Sequence, residues 1–183
     1  MDTQTKIVLA RVVADTAASA GTTDAINAFY RDIDHRVELV GPICERSGRC
    51  CHFEQYGHRL YVTTAELAAF IASARQYPAV RRLARQTDGD GCRFQTGKLC
   101  AAHPLRPMGC RMFYCDARTR EPLQRSFEEM HAALKRLHEE LDVPYHYVEW
   151  RWALEIIAPL ICCPGVDATR PGGCPTTRHA DEV

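Results

Sequence analysis

The 183-residue sequence has little to place it in a membrane, on nucleic acid or in a familiar zinc fold. Its longest apolar run, Leu154 to Cys163, is ten residues interrupted by Glu155 and Pro159. A bilayer-spanning helix needs about 20 mainly apolar residues, so no membrane span and no membrane partner are expected. The first twenty residues carry Asp2, Arg11 and Asp15 where a secretory leader needs a basic start and an unbroken apolar centre, so the expected compartment is the cytoplasm. Lys plus Arg and Asp plus Glu both number 23, and with no net charge a nucleic-acid partner is not expected. No C-x-x-C occurs anywhere, which removes the zinc ribbon, the RING and the thioredoxin-type redox motif. The radical-SAM and bacterial ferredoxin cysteine triplets are absent as well.

What the chain does have is ten cysteines. In a reducing compartment, cysteines in such number point to metal ligation rather than to disulfides. Seven of them fall in two segments without helical or strand period: Cys44, Cys50 and Cys51 in one, Cys92, Cys100, Cys110 and Cys115 in the other. These seven are the candidate metal ligands. An apolar helical face is where a merely structural thiol would sit; a metal instead demands that loops bend toward it. Seven clustered thiols without a zinc knuckle favour an iron–sulfur cluster over zinc as the cofactor. Around them, from Arg75 to Arg125, eleven Lys and Arg face four Asp and Glu, a local excess suited to an anionic thiolate centre or to a solvated basic face.

The remainder reads as helix, and the expected fold class is mainly α, a small helical domain with two irregular Cys-rich loops around a metal centre. Residues 1–42 hold two N-terminal helices, broken at Gly21, with Thr23 or Asp24 as cap and Gly41-Pro42 as stop. Residues 43–116 form the cysteine-cluster region. Within it, Leu60-Tyr61-Val62 suggests a short strand and Thr63 with Glu66 a capping box. The next helix breaks before Pro78, and Asp88-Gly89-Asp90-Gly91 forms a turn. Residues 117–161 give two C-terminal helices, one opened by Pro122 and Ser126, the next by Pro144. Residues 162–183 read as a mobile Pro/Gly-rich tail bearing Cys162, Cys163 and Cys174 as accessory thiols.

Four motifs occur in a fixed order: SerGlyArgCysCys (47–51), GlyCysArgPhe (91–94), LysLeuCys (98–100) and ArgProMetGlyCysArgMetPhe (106–113). Together they resemble the CxxxCC cysteine-cluster family, also called YkgJ-like, a zinc- or iron-chelating domain. The resemblance spans residues 43–116, about 40% of the chain. It departs at Ser47, where the family signature has a second cysteine, and at Ala101-Ala102-His103, where the family has a hydrophobic-Tyr pair. It implies ligation by Cys44, Cys50 or Cys51, Cys92, Cys100 and Cys110, with Arg106 and Arg111 near the thiolates. Cys115 has no family counterpart and is a candidate through its closeness to Cys110. The family also includes a relative of flagellin lysine N-methylase. This makes a group-transfer enzyme using S-adenosylmethionine the first alternative function, although no Gly-rich cofactor loop follows a strand here. A metal-trafficking or partner-binding module, with a protein as partner, is the second.

Other constellations are weaker. Glu128/His131 is the one Glu-x-x-His pair in di-iron order; His146/Glu149 and His35/Glu38 are reversed. His52 and His103 flank the thiols as supporting residues. A Cys110–His103 nucleophile pair has nothing in the sequence to fix its geometry. Tyr145, Tyr147, Trp150 and Trp152 at helical spacing suggest core.

Overall fold

A computed structural model describes residues 3–86, 89 and 91–162. The first helix, α1 (Thr3–Ala17), is followed by α2 (Ala20–Val40). The break comes before Gly21 because Ser19 is the cap. Its backbone is extended and its hydroxyl accepts the Thr22 N–H at 3.4 Å, which leaves Thr23 and Asp24 inside the helix. Gly41 closes α2 in the left-handed region at φ 66°, and its N–H returns to the Val37 carbonyl.

Strand β1 (Tyr61–Thr63) runs directly into α3 (Thr64–Ala74). The junction is the capping box, with Thr63 and Glu66 bonding each other's backbone N–H reciprocally. Helix α4 (Pro78–Ala84) opens on Pro78, where the missing N–H costs nothing. The segment 92–116 is less irregular than its composition suggests. It contains a hairpin of β2 (Gln95–Thr96) and β3 (Leu99–Cys100), then the one-turn helix α5 (Met108–Met112). Helix α6 (Arg120–Glu140) begins ahead of Pro122 and Ser126.

The segment after Pro144 does not enter a helix at once. Tyr147–Glu149 forms β4, antiparallel to β1 with Thr63 opposite Tyr147, and α7 (Trp150–Cys162) starts only afterwards. Aromatic and β-branched residues suit a pleated edge as well as a helix, and the free edge of β1 decides between them. The Trp150 N–H locks the corner on the Leu60 carbonyl at 2.8 Å.

The fold is mainly α: the described residues form seven α-helices and two two-stranded sheets. Helix α3 is the shared wall of two cores. On one side Leu67, Phe70 and Ile71 pack with Leu9 and Val13 of α1 and with Trp150, Ile157 and Ile161 of α7. On the other, Ala65 and Ala69 meet Ile26, Tyr30 and Ile33 of α2, Met108 of α5 and Met130 and Leu134 of α6. Each fully buried large aliphatic here is worth roughly 1.5–3 kcal/mol. Among the described residues, no helix is long and apolar enough to cross a membrane.

Candidate metal centre

The two cysteine segments meet through their backbones. The Cys92 N–H donates to the Cys51 carbonyl at 2.9 Å, and the Gln95 side chain donates to the Gly48 carbonyl at 3.3 Å. Gly48, at φ 78°, allows this approach: a Cβ there would stand 2.5 Å from Gln95 Nε2. The turn after Gly48 is a 3-10 turn over Arg49–Cys51, which presents Cys50 and Cys51 together. Cys100 enters from β3, opposite Gln95, and Cys110 from α5. All seven candidate cysteines line one cavity of about 590 Å³, whose apolar wall includes Phe70, Phe94 and Trp150.

Five of the seven form an inner set. Cys51 and Cys92 are buried, and Cys50, Cys100 and Cys110 are half-buried. Cys51 is the hub: its thiol meets Cys100, Cys50 and Cys92, and these contacts with burial push its pKa up. Its Sγ lies 4.0 Å from that of Cys50. The same contacts act in the opposite direction on its neighbours. Cys50 is held down to about 6, first by the Cys51 hydrogen bond and then by the Arg106 charge, against the effect of burial. Cys92 and Cys100 are lowered by the same Cys51 contact, Cys92 also by the Trp150 side chain. Burial and the charges of Cys92 and Cys100 push Cys110 up, opposed by Arg106.

The outer pair differs. Cys44 and Cys115 are exposed. Their segments are joined by the Ile43 N–H, which donates to Asp116 Oδ2 at 3.1 Å. Cys115 Sγ stands 4.0 Å from the hydroxyl of Ser47. Ser47 thus sits beside a thiol that the sequence resemblance left without a counterpart.

The chain matches no family model, no curated protein and no solved structure. The site is therefore read from its own geometry. Among the described residues, no group of three or more His, Cys, Asp or Glu side chains is disposed to hold a metal ion. The inner thiols share a cavity, and the Cys50 and Cys51 sulfurs stand 4.0 Å apart.

The basic residues divide unevenly. Arg106 lies by the cavity, donating to the Cys110 carbonyl at 3.3 Å and the His103 carbonyl at 3.1 Å, and Arg46 and Lys98 also line it. Arg111 turns away from the thiols, against expectation. Its guanidinium lies 4.3 Å from the Tyr30 ring centroid and bonds both Asp34 oxygens, at 3.0 and 2.7 Å. It also donates to the Arg106 and Pro104 carbonyls at 2.7 Å each. This fixes the 104–107 turn that leads into α5.

The residue that sequence reasoning missed is Glu66. Read there only as a cap, it is buried and also accepts the Met108 N–H at 2.8 Å and the Tyr30 hydroxyl at 3.1 Å. Its carboxylate therefore ties the start of α3 to α2 and to the first turn of α5, which carries Cys110. Burial raises its pKa against the opposing pull of these bonds.

The remaining sequence candidates fall elsewhere. Glu128 is exposed and accepts from Gln124, while His131 Nε2 bonds the Tyr145 hydroxyl at 2.7 Å, so no di-iron cradle forms around this pair. His103 is exposed on the cavity lining, and His52 packs near Gly91. Trp150 is core, whereas Tyr145 and Tyr147 stack at the surface with His131. Cys162 is buried at the end of α7, where its thiol donates to the Arg81 carbonyl away from the cavity. Cys163, Cys174, the tail beyond Cys162, and Asp88 and Asp90 of the expected turn lie outside the described residues.

Proposed function

We propose that the chain is a metal-binding protein whose inner thiols hold an iron–sulfur cluster. The single observation that carries this reading is the convergence of Cys50, Cys51, Cys92, Cys100 and Cys110 from four separate stretches of chain on one cavity. The donor set fits the group chemically: soft sulfur ligands, three of them with lowered pKa, beside a guanidinium that offsets anionic charge. A cluster bound here would supply one-electron transfer or structural closure. Because the inner thiols come from separate stretches of chain that share one cavity, loading fixes those stretches on one centre and couples metal to local folding.

Zinc is the second reading, and one contact favours it. Four thiolates at a Zn–S distance of about 2.3 Å stand about 3.8 Å apart. The Cys50–Cys51 separation of 4.0 Å is close to that edge. The group-transfer and trafficking alternatives have no comparable observation behind them.

Protein purified without oxygen should be brown, with broad thiolate-to-iron absorbance near about 400 nm and stoichiometric iron and sulfide. Colourless protein with one zinc per chain would replace the cluster but keep the site, and protein without either metal would remove the reading. Cys100→Ser and Cys110→Ser should lose the metal; Cys162→Ser should retain it.

A further inference from the structure

Cys51 contacts Cys50, Cys92 and Cys100 within the inner set, and Cys44 and Cys115 do not belong to that set. They are exposed on the lining of the same cavity, one from each cysteine segment. The hydrogen bond between Ile43 and Asp116 joins the two residues next to them at 3.1 Å. Asp116 is itself pinned by Arg118, whose guanidinium donates to both carboxylate oxygens at 3.0 and 2.8 Å. Within residues 44–47, Arg46 takes a left-handed φ of 51°, and Ser47 Oγ comes 4.0 Å from Cys115 Sγ. Cys44 and Cys115 are thus exposed thiols, each one residue from the hydrogen bond that joins their segments, and neither belongs to the core or to the inner set.

The geometry points to Cys44 and Cys115 as a reversible modification site: a dithiol that low-molecular-weight disulfides of the glutathione class oxidise to a bridge across the cavity mouth. In the first step the Cys115 thiolate attacks one sulfur of the oxidant, forming a mixed disulfide and releasing one thiolate. In the second, the Cys44 thiolate attacks the Cys115 sulfur, forming the protein bridge and releasing the second thiolate. The two protons lost by the cysteines pass to the two departing thiolates. The protein loses two electrons and the oxidant gains them. The bridge ties residues 44 and 115 over the inner thiols, so it restricts entry to them. This inference goes beyond the metal reading and needs no metal.

The test uses the full metal-free chain, exposed to oxidised glutathione and mapped by peptide mass spectrometry. The expected product is a Cys44–Cys115 bridge, reversed by dithiothreitol. N-ethylmaleimide labelling of Cys50, Cys92 and Cys100 should then be about tenfold slower than in the reduced chain. Cys44→Ser should stop at glutathionylated Cys115, and Cys115→Ser should form no bridge from Cys44. A bridge among the inner thiols instead, no bridge in the wild type, or inner labelling at an unchanged rate would overturn the proposal. None of these results depends on whether iron or zinc is bound, so failure here is separable from failure of the metal reading.

Discussion

The two sides of α3 solve the same problem with different chemistry. On the α2 and α6 side, the buried polar groups are satisfied within the chain. Glu66 accepts from Thr63, Tyr30 and Met108, and Arg111 fills its fork with Asp34 and two carbonyls, at distances of 2.7 to 3.1 Å. On the α1 and α7 side, five thiols line one cavity, with weak sulfur contacts from Cys51 to Cys50, Cys92 and Cys100. A carboxylate buried with hydrogen bonds to four groups is a completed structural element. A cavity lined by partly ionised thiols is a costly arrangement for a protein core unless something else completes it. The difference separates a support, which folding finishes, from a site, which folding only assembles.

The largest effect that tests this division is Glu66→Ala. It strips the acceptor from Met108, Tyr30 and Thr63 and leaves buried donors unpaired, at about 1–3 kcal/mol each. Urea denaturation should show a loss of about 3 kcal/mol or more in metal-free protein, with Glu66→Gln losing less because it keeps the shape and one acceptor. Arg111→Ala follows at about 2–3 kcal/mol, since its ring contact, carboxylate and turn carbonyls all lose their partner. If either substitution left metal-free stability intact, the polar side would not be the support described.

Much of this was legible in the sequence, and the exceptions have a common cause. The capping box at Thr63 and Glu66 is local, so three residues of spacing reveal it. The other partners of Glu66 are 36 and 42 residues away, and no local pattern connects them. The convergence of the cysteine segments followed from thiols collected in two stretches without period. Their division into inner and outer sets depends on exposure, which the Ile43–Asp116 link and the turn at Gly48 decide. Arg106 and Arg111 look equivalent in sequence, but Arg106 lines the thiol cavity whereas Arg111 binds Asp34 and the Tyr30 ring. β4 was hidden because Tyr-His-Tyr-Val suits either a helix start or a strand, and only the unpaired edge of β1 selects the strand.

The thiol side can be tested by pH. Cys50 is held down to about 6 from an ordinary 9.0, so its contribution to stability is complete above pH 9 and is lost as the pH falls through 6. Cys51 is pushed up and has the opposite sign: its contribution is complete below the ordinary value and is lost as the pH rises. In metal-free protein the iodoacetamide rate at Cys50, read by peptide mass spectrometry, should reach half its plateau near pH 6. Arg106→Ala should move that midpoint upward with little change in urea midpoint, the reverse of Arg111→Ala. A midpoint near 9 in the wild type would show that Cys51 does not act as the proton-holding hub.

The smallest effect comes from the thiol that belongs to neither side's chemistry. Cys162 is buried at the end of α7 and donates to the Arg81 carbonyl at 3.5 Å, so it serves α7 packing on α4. A serine there keeps a donor but trades a small hydrophobe for a hydroxyl with a shorter reach. Cys162→Ser should therefore cost about 1 kcal/mol by urea denaturation, with Cys50 reactivity and metal content unchanged. Cys100→Ser should show the converse, little change in metal-free stability and loss of the metal. A shared response from Cys162 and Cys100 would mean that the thiols act in the core as ordinary small apolar groups, and that the cavity is packing rather than a site.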